Sequence, residues 1–192
     1  MARAAYDAEA WMTPANAISL ARLLLSPVLA AFILVDGPSY PNLLLGGIIA
    51  ISDAFDGYVA RRHGTTRSGA FLDPLADKVL VLGAMAALVA IDDFPWLPVA
   101  LIALREVGIS FYRSYWARQG LAIPARRSAK FKTVVQEVAV AFALVPVIAE
   151  RASWLPLLVL WAAVLLTLGT GAQYVSDGRR AFTTGGSRGA GG

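Results

Sequence analysis

Apolar residues recur along the chain in long runs that are separated by short segments rich in Pro, Gly, Asp or basic residues. Each run has about the length that an α-helix needs to cross a bilayer, which is about 20 residues. The pattern therefore predicts an all-α, integral membrane bundle of six transmembrane helices. The predicted spans are residues 17–35, 43–61, 73–91, 96–113, 133–149 and 154–175.

The connections between these runs alternate in character. Those on one side of the predicted bundle are short, whereas those on the other side, residues 62–72 and 114–132, are longer and basic. Pro27 and Pro146 fall inside predicted spans, where proline is expected to kink a helix.

Both ends of the chain differ from its apolar middle. Residues 1–12 place Tyr6 and Trp11 among charged residues, which predicts a short amphipathic helix lying along the membrane surface beside the bundle. Residues 181–192 are rich in glycine and predict a flexible tail. The domain prediction is therefore a single membrane domain over residues 1–180, followed by that tail.

Composition and charge agree with a membrane protein. Of the 192 residues, 57% are hydrophobic and 16% are charged, against a charged share of roughly 25% in soluble domains. The net charge is +4, but most basic residues lie between apolar runs, so anionic lipids or anionic substrates fit better than nucleic acid. The absence of cysteine excludes disulfides, a thiol nucleophile and a thiolate metal site.

The basic residues also predict an orientation. Under the six-span topology, every Lys and Arg except Arg151 lies in or near one side of the membrane. Positive residues are enriched on the cytoplasmic side of membrane proteins. Both termini are therefore expected in the cytoplasm, with the chain integral to the cytoplasmic, or inner, membrane.

Four aspartates near the ends of the second and third predicted spans are difficult to explain structurally. Two are three residues apart and two are four apart, so each pair shares a face of its helix. An ionised acid at the centre of a span costs about 2.5 to 3.5 kcal/mol, and less near the interface. Divalent cations that bridge the acids would offset this cost. The aspartates are Asp53, Asp56, Asp73 and Asp77.

The donor atoms indicate which ions these would be. Carboxylate oxygens without His or Cys suit Mg²⁺, Mn²⁺ or Ca²⁺ rather than zinc, and two bridged ions are typical of phosphoryl chemistry. Gly57 and Ala60 leave room for a ligand beside the acids, and Arg61 supplies a cation for a diphosphate. Any one acid alone has a structural explanation, since Asp73 before Pro74 is typical of a helix start.

Residues 53–78, which read DAFDGYVARRHGTTRSGAFLDPLADK, resemble the signature of the CDP-alcohol phosphotransferase family. That signature is D-x2-D-G-x2-A-R, a spacer, and then G-x3-D-x3-D. The spacer from Arg62 to Ser68 is one residue shorter than usual, a change that a connecting loop tolerates. Every fixed position is present, at Asp53, Asp56, Gly57, Ala60, Arg61, Gly69, Asp73 and Asp77.

The resemblance implies a six-helix, usually homodimeric membrane enzyme that transfers a phosphatidyl group from CDP-diacylglycerol to an alcohol and releases CMP. It implies two ions of Mg²⁺ or Mn²⁺ bound by Asp53, Asp56 and Asp73. Asp77 would lie at the edge of the site as the general base, as a further metal ligand, or as both. The implied CDP-binding residues are Asn16, Asp53, Gly57, Ala60, Arg61, Ser68 and Gly69.

Cations in the second half of the chain bear on the acceptor alcohol. Arg105 lies within an apolar span and is a functional candidate, because a cation at that depth is costly. With Arg113, Lys130 and Lys132 it would form a basic pocket for an acceptor that carries a phosphate. The alternative is that Lys and Arg near span ends simply extend to lipid headgroups.

The same region resembles one branch of the family, which makes phosphatidylglycerophosphate from glycerol 3-phosphate. The resemblance covers Arg105-Glu106, Arg113 and the stretch from Lys130 to Gln136, with Ala129 where glycine is usual. The stretch from Pro14 to Arg22 also resembles the start of that branch, which implies that Asn16 and Arg22 lie near the nucleotide or the acceptor.

Other functions stay open on the sequence alone. Within the family, the acceptor could be inositol phosphate, as in a phosphatidylinositol phosphate synthase, or phosphatidylglycerol, as in a cardiolipin synthase. A cation transporter with intramembrane carboxylates is a hypothesis from a different class, but it does not explain Gly57, Ala60 and Arg61. A membrane scaffold without activity gives no reason to retain four costly charges.

Overall fold

The computed structural model describes residues 13–63, 67–118 and 127–185. Side chains are described over residues 13–52, 69–112, 114–115 and 131–171, except at Ala15 and Ala70. These parts of the chain contain seven α-helices and no strand, which confirms the all-α prediction. The helices are α1 (Pro14–Asp36), α2 (Tyr40–His63), α3 (Arg67–Ala90), α4 (Trp96–Arg118), α5 (Arg127–Leu144), α6 (Pro146–Arg151) and α7 (Trp154–Gly185).

Most predicted spans correspond to one helix each. The exception is the span at residues 133–149, which is divided between α5 and α6. Within the described residues, Asn16–Asp36 and Trp154–Gly171 are the two stretches that are long and apolar enough to cross a membrane. The number of six spans stays a prediction.

The predicted terminal segments are only partly described. The amphipathic helix expected at residues 1–12 lies outside the described residues. At the other end, α7 continues to Gly185, so residues 181–185 of the predicted tail are helical. The rest of that tail, residues 186–192, is again outside the described part.

Pro146 divides what the sequence predicts to be one kinked helix. Val145 has φ −76° and ψ 112°, which is extended backbone. A proline pushes the residue before it out of the helical region, and it has no N–H for a helical hydrogen bond. Pro146 therefore starts a new short helix, whereas α1 continues through Pro27.

The start of α3 differs from the sequence-based interpretation of Asp73 as a helix cap. The helix begins at Arg67, so that Asp73 and Pro74 lie inside it. The interpretation of Asp73-Pro74 as a helix start is therefore wrong. The Asp73 carboxylate instead contacts α1, as described below.

α1 and α3 form the most extensive helix pair and run parallel. Ser19 contacts Asp73, and one turn further along both helices Arg22 contacts Asp77. Beyond these polar contacts the pair is apolar. Leu29, Ile33, Met85 and Leu88, each at most 1% exposed, belong to the hydrophobic core of the bundle.

Gly37 ends α1 in a conformation that is essentially restricted to glycine. Its φ is 63° and its ψ is −151°. The Gly37 N–H donates to the Ile33 carbonyl at 2.9 Å, and the Gly37 carbonyl accepts from Nδ2 of the buried Asn42 at 2.9 Å. We therefore expect Gly37→Ala to lower the free energy of unfolding by about 1–3 kcal/mol. A lower thermal unfolding midpoint of the detergent-solubilised protein would show this.

Gly47→Ala is the matched control for that substitution. Gly47 lies within α2, and a Cβ added there meets no atom within 4 Å. Because alanine favours a helix interior over glycine by roughly 0.5–1 kcal/mol, this variant should unfold at a slightly higher temperature. Equal midpoints for the two variants would contradict the backbone explanation.

Candidate active site

One face of α1 is polar although it is buried. Its polar side chains recur every three or four residues, which places them along one side of the helix. At the ends of the series, Thr13 Oγ1 accepts from the Asn16 N–H at 3.2 Å, and Ser26 Oγ donates to the Arg22 carbonyl at 2.6 Å. The middle of the series faces α3. The series consists of Thr13, Asn16, Ser19, Arg22 and Ser26, each at most 4% exposed.

Ser19 links this face to Asp73, an aspartate of the family signature. Its hydroxyl donates to Asp73 Oδ1 at 2.5 Å, and Ser19 itself is fully buried. Hydrogen bonds from a hydroxyl to a carboxylate are short and stronger than those between neutral groups. α1 therefore fixes the orientation of the Asp73 carboxylate.

Arg22 links the same face to Asp77, the last aspartate of the signature. Nη2 of Arg22 forms an ion pair with Oδ1 of Asp77. The Arg22 side chain is 3% exposed, whereas that of Asp77 is 36% exposed. Asp77 thus neutralises the charge of the buried Arg22 guanidinium, while part of its own carboxylate side chain stays exposed in an open space.

That space is a half-open cavity of about 220 Å³ between α3, α4 and α5. Asp73 and Asp77 line it from α3. Arg105 and Glu106 line it from α4, and Lys132 from α5. The structure therefore brings two acids predicted for the metal site and two cations predicted for the acceptor into one cavity. Its other lining residues are Pro74, Lys78, Leu82, Ile109, Ser110, Thr133 and Gln136.

Arg105, Glu106 and Lys132 form an ionic cluster. Glu106 Oε1 accepts from Arg105 Nη1 at 2.8 Å and is also paired with Lys132 Nζ. The three side chains are between 6% and 12% exposed. Two cations share one carboxylate, so the cluster keeps a net positive charge beside the cavity. A buried excess charge of this kind favours the binding of an anion.

Several predicted site residues lie outside the described side chains. Gly69 is described and is buried in α3, and Asn16 is buried on the polar face of α1. The side chains of the others are not described, and their predicted roles stay predictions. These residues are Asp53, Asp56, Gly57, Ala60, Arg61, Ser68, Arg113 and Lys130.

Asp73 and Asp77 are compatible with a divalent cation but do not form a complete site by themselves. They offer carboxylate oxygens from successive turns of α3, with the Ser19 hydroxyl beside Asp73. Oxygen donors of this type suit Mg²⁺ or Mn²⁺. Among the described side chains, no group of three or more His, Cys, Asp or Glu residues could hold an ion. Further ligands would have to come from Asp53 and Asp56.

Three residues at the site had no role in the sequence analysis. Ser19 contacts Asp73, as described above, and Thr170 and Gly171 on α7 contact Arg105. The available signal was weak. Ser19 lies midway between Asn16 and Arg22, and Thr170 follows Thr167 by three residues in an otherwise apolar run.

Comparison with known proteins is informative for most of the chain. A family model described as CDP-alcohol phosphatidyltransferase matches residues 12–169. A "Probable phosphatidylglycerophosphate synthase" of Mycobacterium tuberculosis is 37% identical over 172 residues, which cover 86% of this chain and 81% of that protein. The match to the family model includes the aspartates and the ionic cluster.

Two further relatives carry the name "CDP-diacylglycerol--glycerol-3-phosphate 3-phosphatidyltransferase". The protein of Bacillus subtilis is 34% identical over 186 residues, covering 88% of this chain and 96% of the relative. That of Escherichia coli is 34% identical over 177 residues, covering 84% of this chain and 92% of the relative. The similarity therefore extends over nearly the whole length of both relatives.

Proposed function

This chain belongs to the CDP-alcohol phosphatidyltransferase family, and we propose that it transfers the phosphatidyl group of CDP-diacylglycerol to glycerol 3-phosphate. The products are phosphatidylglycerophosphate and CMP. The family predicted from residues 53–78 is confirmed, and the names of the relatives support the choice of acceptor. The observation that carries the proposal is the single cavity in which Asp73 and Asp77 face Arg105 and Lys132.

The two sides of the cavity suit the two ends of glycerol 3-phosphate. Its phosphate neutralises the excess positive charge of Arg105 and Lys132. Its terminal hydroxyl, on C1, then points toward α3, where Asp77 is the general base. As the hydroxyl oxygen bonds to the β-phosphorus of CDP-diacylglycerol, Asp77 takes the hydroxyl proton and the bond from that phosphorus to the CMP oxygen breaks. Arg22 holds the Asp77 carboxylate in place from α1.

A divalent metal, Mg²⁺ or Mn²⁺, is the expected cofactor, with two ions per site. Asp53, Asp56 and Asp73 would hold them, with Asp77 at the edge. When bound, such ions neutralise the diphosphate and make CMP a better leaving group. The nucleotide itself would lie against residues of the family signature and of α1. These are Asn16, Asp53, Gly57, Ala60, Arg61, Ser68 and Gly69.

The cations around the cavity weigh against the transporter hypothesis. The buried Arg22 side chain is paired with Asp77, and the buried Arg105 and Lys132 side chains are paired with Glu106. A pathway for a metal cation alone gives no reason to bury three positive side chains beside it. These side chains favour instead a substrate that carries its own negative charge.

The placement of the site also supports a cytoplasmic active site in the inner membrane. Ser19 and Asp73 lie near the starts of α1 and α3, and Lys132 lies near the start of α5. The starts of α3 and α5 adjoin the longer basic connections, residues 62–72 and 114–132, which the distribution of positive charge assigns to the cytoplasm. Glycerol 3-phosphate would then enter from that side. We expect the protein to work as a homodimer among membrane lipids.

Release of CMP from CDP-diacylglycerol tests this function directly. Purified protein with Mg²⁺ or Mn²⁺ should release CMP when it is given glycerol 3-phosphate, and should release little with glycerol, which has no phosphate for Arg105 and Lys132. Inositol phosphate and phosphatidylglycerol belong in the same panel, and CMP release with either alone would change the acceptor. No release with any alcohol, together with metal flux into proteoliposomes, would favour the transporter.

A further inference from the structure

α7 contacts the ionic cluster at Arg105, although no described residue of α7 lines the cavity. Arg105 Nη2 donates to Thr170 Oγ1 at 3.0 Å, while Nη1 donates to Glu106. The Arg105 side chain is 8% exposed, so its guanidinium is enclosed between its own helix and α7. Both ends of the guanidinium fork thus have a fixed acceptor.

The Thr170 hydroxyl donates its proton to the backbone of α7 and accepts from Arg105. Its oxygen lies 2.8 Å from the Leu166 carbonyl and 3.1 Å from the Thr167 carbonyl, both on α7. A hydroxyl has one proton and two lone pairs. Because the proton points back to the helix, the lone pairs face Arg105.

The rest of the Arg105 side chain packs against α7 at Gly171. A Cβ added at Gly171 would lie 3.3 Å from Arg105 Nε and 3.4 Å from Cγ, closer than ordinary contact. Nε has no hydrogen-bond partner among the described residues. Packing on the bare backbone of α7, rather than a hydrogen bond, therefore positions this part of the side chain.

We propose that Thr170 and Gly171 are positioning residues, which hold the Arg105 guanidinium so that its remaining Nη donors face the cavity and bind the phosphate of the acceptor. This inference rests on the proposed function. A guanidinium has five N–H donors in a rigid plane. Glu106 and Thr170 fix that plane by accepting one N–H from each Nη atom. The remaining N–H group of each Nη atom therefore has a defined direction before any ligand binds.

Thr170 could instead serve only to pack α4 against α7, and Thr167 offers a control for that role. Gln136 Nε2 donates to the fully buried Thr167 Oγ1 at 2.9 Å, which joins α5 to α7 in a similar way. This contact involves no cation. Thr167→Val therefore removes a hydrogen bond between helices without touching Arg105.

The test compares Thr170→Val, which has the same shape without the hydroxyl, with Thr170→Ser, which keeps it. We expect Thr170→Val to raise the KM for glycerol 3-phosphate roughly tenfold or more, as for loss of a hydrogen bond to a charged group. The KM for CDP-diacylglycerol and kcat should stay within about twofold. Thr170→Ser should resemble the wild type, and Gly171→Ala should shift the same KM upward.

A second measurement reads anion binding without turnover. Inorganic phosphate, compared with chloride at equal ionic strength, should raise the thermal unfolding midpoint of the wild type, and this rise should shrink in Thr170→Val but persist in Thr167→Val. If phosphate raises the midpoint of the wild type but the protein releases no CMP, the proposed reaction is wrong. The positioning role is then decided by the phosphate-induced rise in the variants alone. The positioning role is overturned if phosphate raises the midpoint of Thr170→Val as much as that of the wild type, or if it does not raise the wild-type midpoint. It is also overturned if Thr167→Val raises the KM for glycerol 3-phosphate as much as Thr170→Val does.

Discussion

Asp73→Asn should lower kcat for CMP release by roughly 10³-fold, because it removes a negative charge from the predicted metal site. Asparagine has the same shape, and its amide oxygen can still accept the hydrogen bond that Ser19 donates at 2.5 Å. The contact between α1 and α3 is therefore retained. Measurement with both substrates and Mg²⁺ at saturation separates this loss of rate from weaker substrate binding.

Asp93→Asn is the matched control for this substitution. Asp93 lies in the connection between α3 and α4, at the end of α3 opposite the site. Partial burial raises the pKa of its carboxyl, which means that the ionised form is less favourable in the folded protein than in the unfolded chain. At neutral pH, replacement by asparagine removes that penalty. Asp93→Asn should therefore fold at least as well as the wild type and keep its rate.

Asp56→Asn extends the test to the part of the signature whose side chains the structure does not describe. If Asp56 is a metal ligand, this variant should lose activity to a similar extent as Asp73→Asn. An undiminished rate in either variant would contradict the site assignment, and so would equal losses in Asp73→Asn and Asp93→Asn. A fall in rate that higher concentrations of Mg²⁺ or Mn²⁺ partly reverse would support metal binding in particular.

The positions of the helices could be predicted because they depend on local features. Apolar runs and turn residues such as Gly37 and Pro95 mark the helix ends wherever the rest of the chain lies. The start of α3 could not be predicted in this way. Asp73-Pro74 satisfies the local chemistry of a helix cap, but the helix begins at Arg67 and the carboxylate is used by α1 instead.

Pro146 is a second position where local sequence features do not determine where a helix begins or ends. A proline within an apolar run either kinks or ends a helix, and the choice depends on whether neighbouring groups satisfy the freed backbone atoms. Pro27 lies within a continuous α1, whereas Pro146 separates α5 from α6. Both prolines lie within apolar runs, so the sequence does not distinguish them. The difference between them depends on how other helices pack around each one.

The residues of the candidate site also divide into those that local sequence features predict and those that only the packing of the helices reveals. Arg105 and Lys132 could be predicted, because a cation in an apolar helix is costly wherever it lies. Ser19 could not, because serine in a helix often bonds its own backbone, as Ser26 and Ser110 do here. Only the packing of α1 against α3 shows that the Ser19 hydroxyl reaches a carboxylate, and only α7 shows what supports Arg105.

Lys132→Met should raise the KM for glycerol 3-phosphate by roughly 10²-fold, and Glu106→Gln added to it should recover about tenfold. In the wild type, two cations share the Glu106 carboxylate. The single variant leaves Glu106 to neutralise Arg105, so the ionic cluster keeps no excess positive charge for the acceptor phosphate. The second substitution restores that excess charge, and its amide oxygen can still accept from Arg105 Nη1, which donates to Glu106 at 2.8 Å in the wild type.

A recovery of acceptor binding upon removal of a carboxylate is difficult to explain by folding, because the double variant has lost more of the native contacts than the single one. It follows directly if the cavity binds the acceptor through the excess positive charge of the ionic cluster. The KM for CDP-diacylglycerol should stay within about twofold of the wild-type value in both variants, since neither residue belongs to the predicted nucleotide site. A double variant no better than Lys132→Met, or a parallel rise in the KM for CDP-diacylglycerol, would show that these cations do not bind the acceptor phosphate.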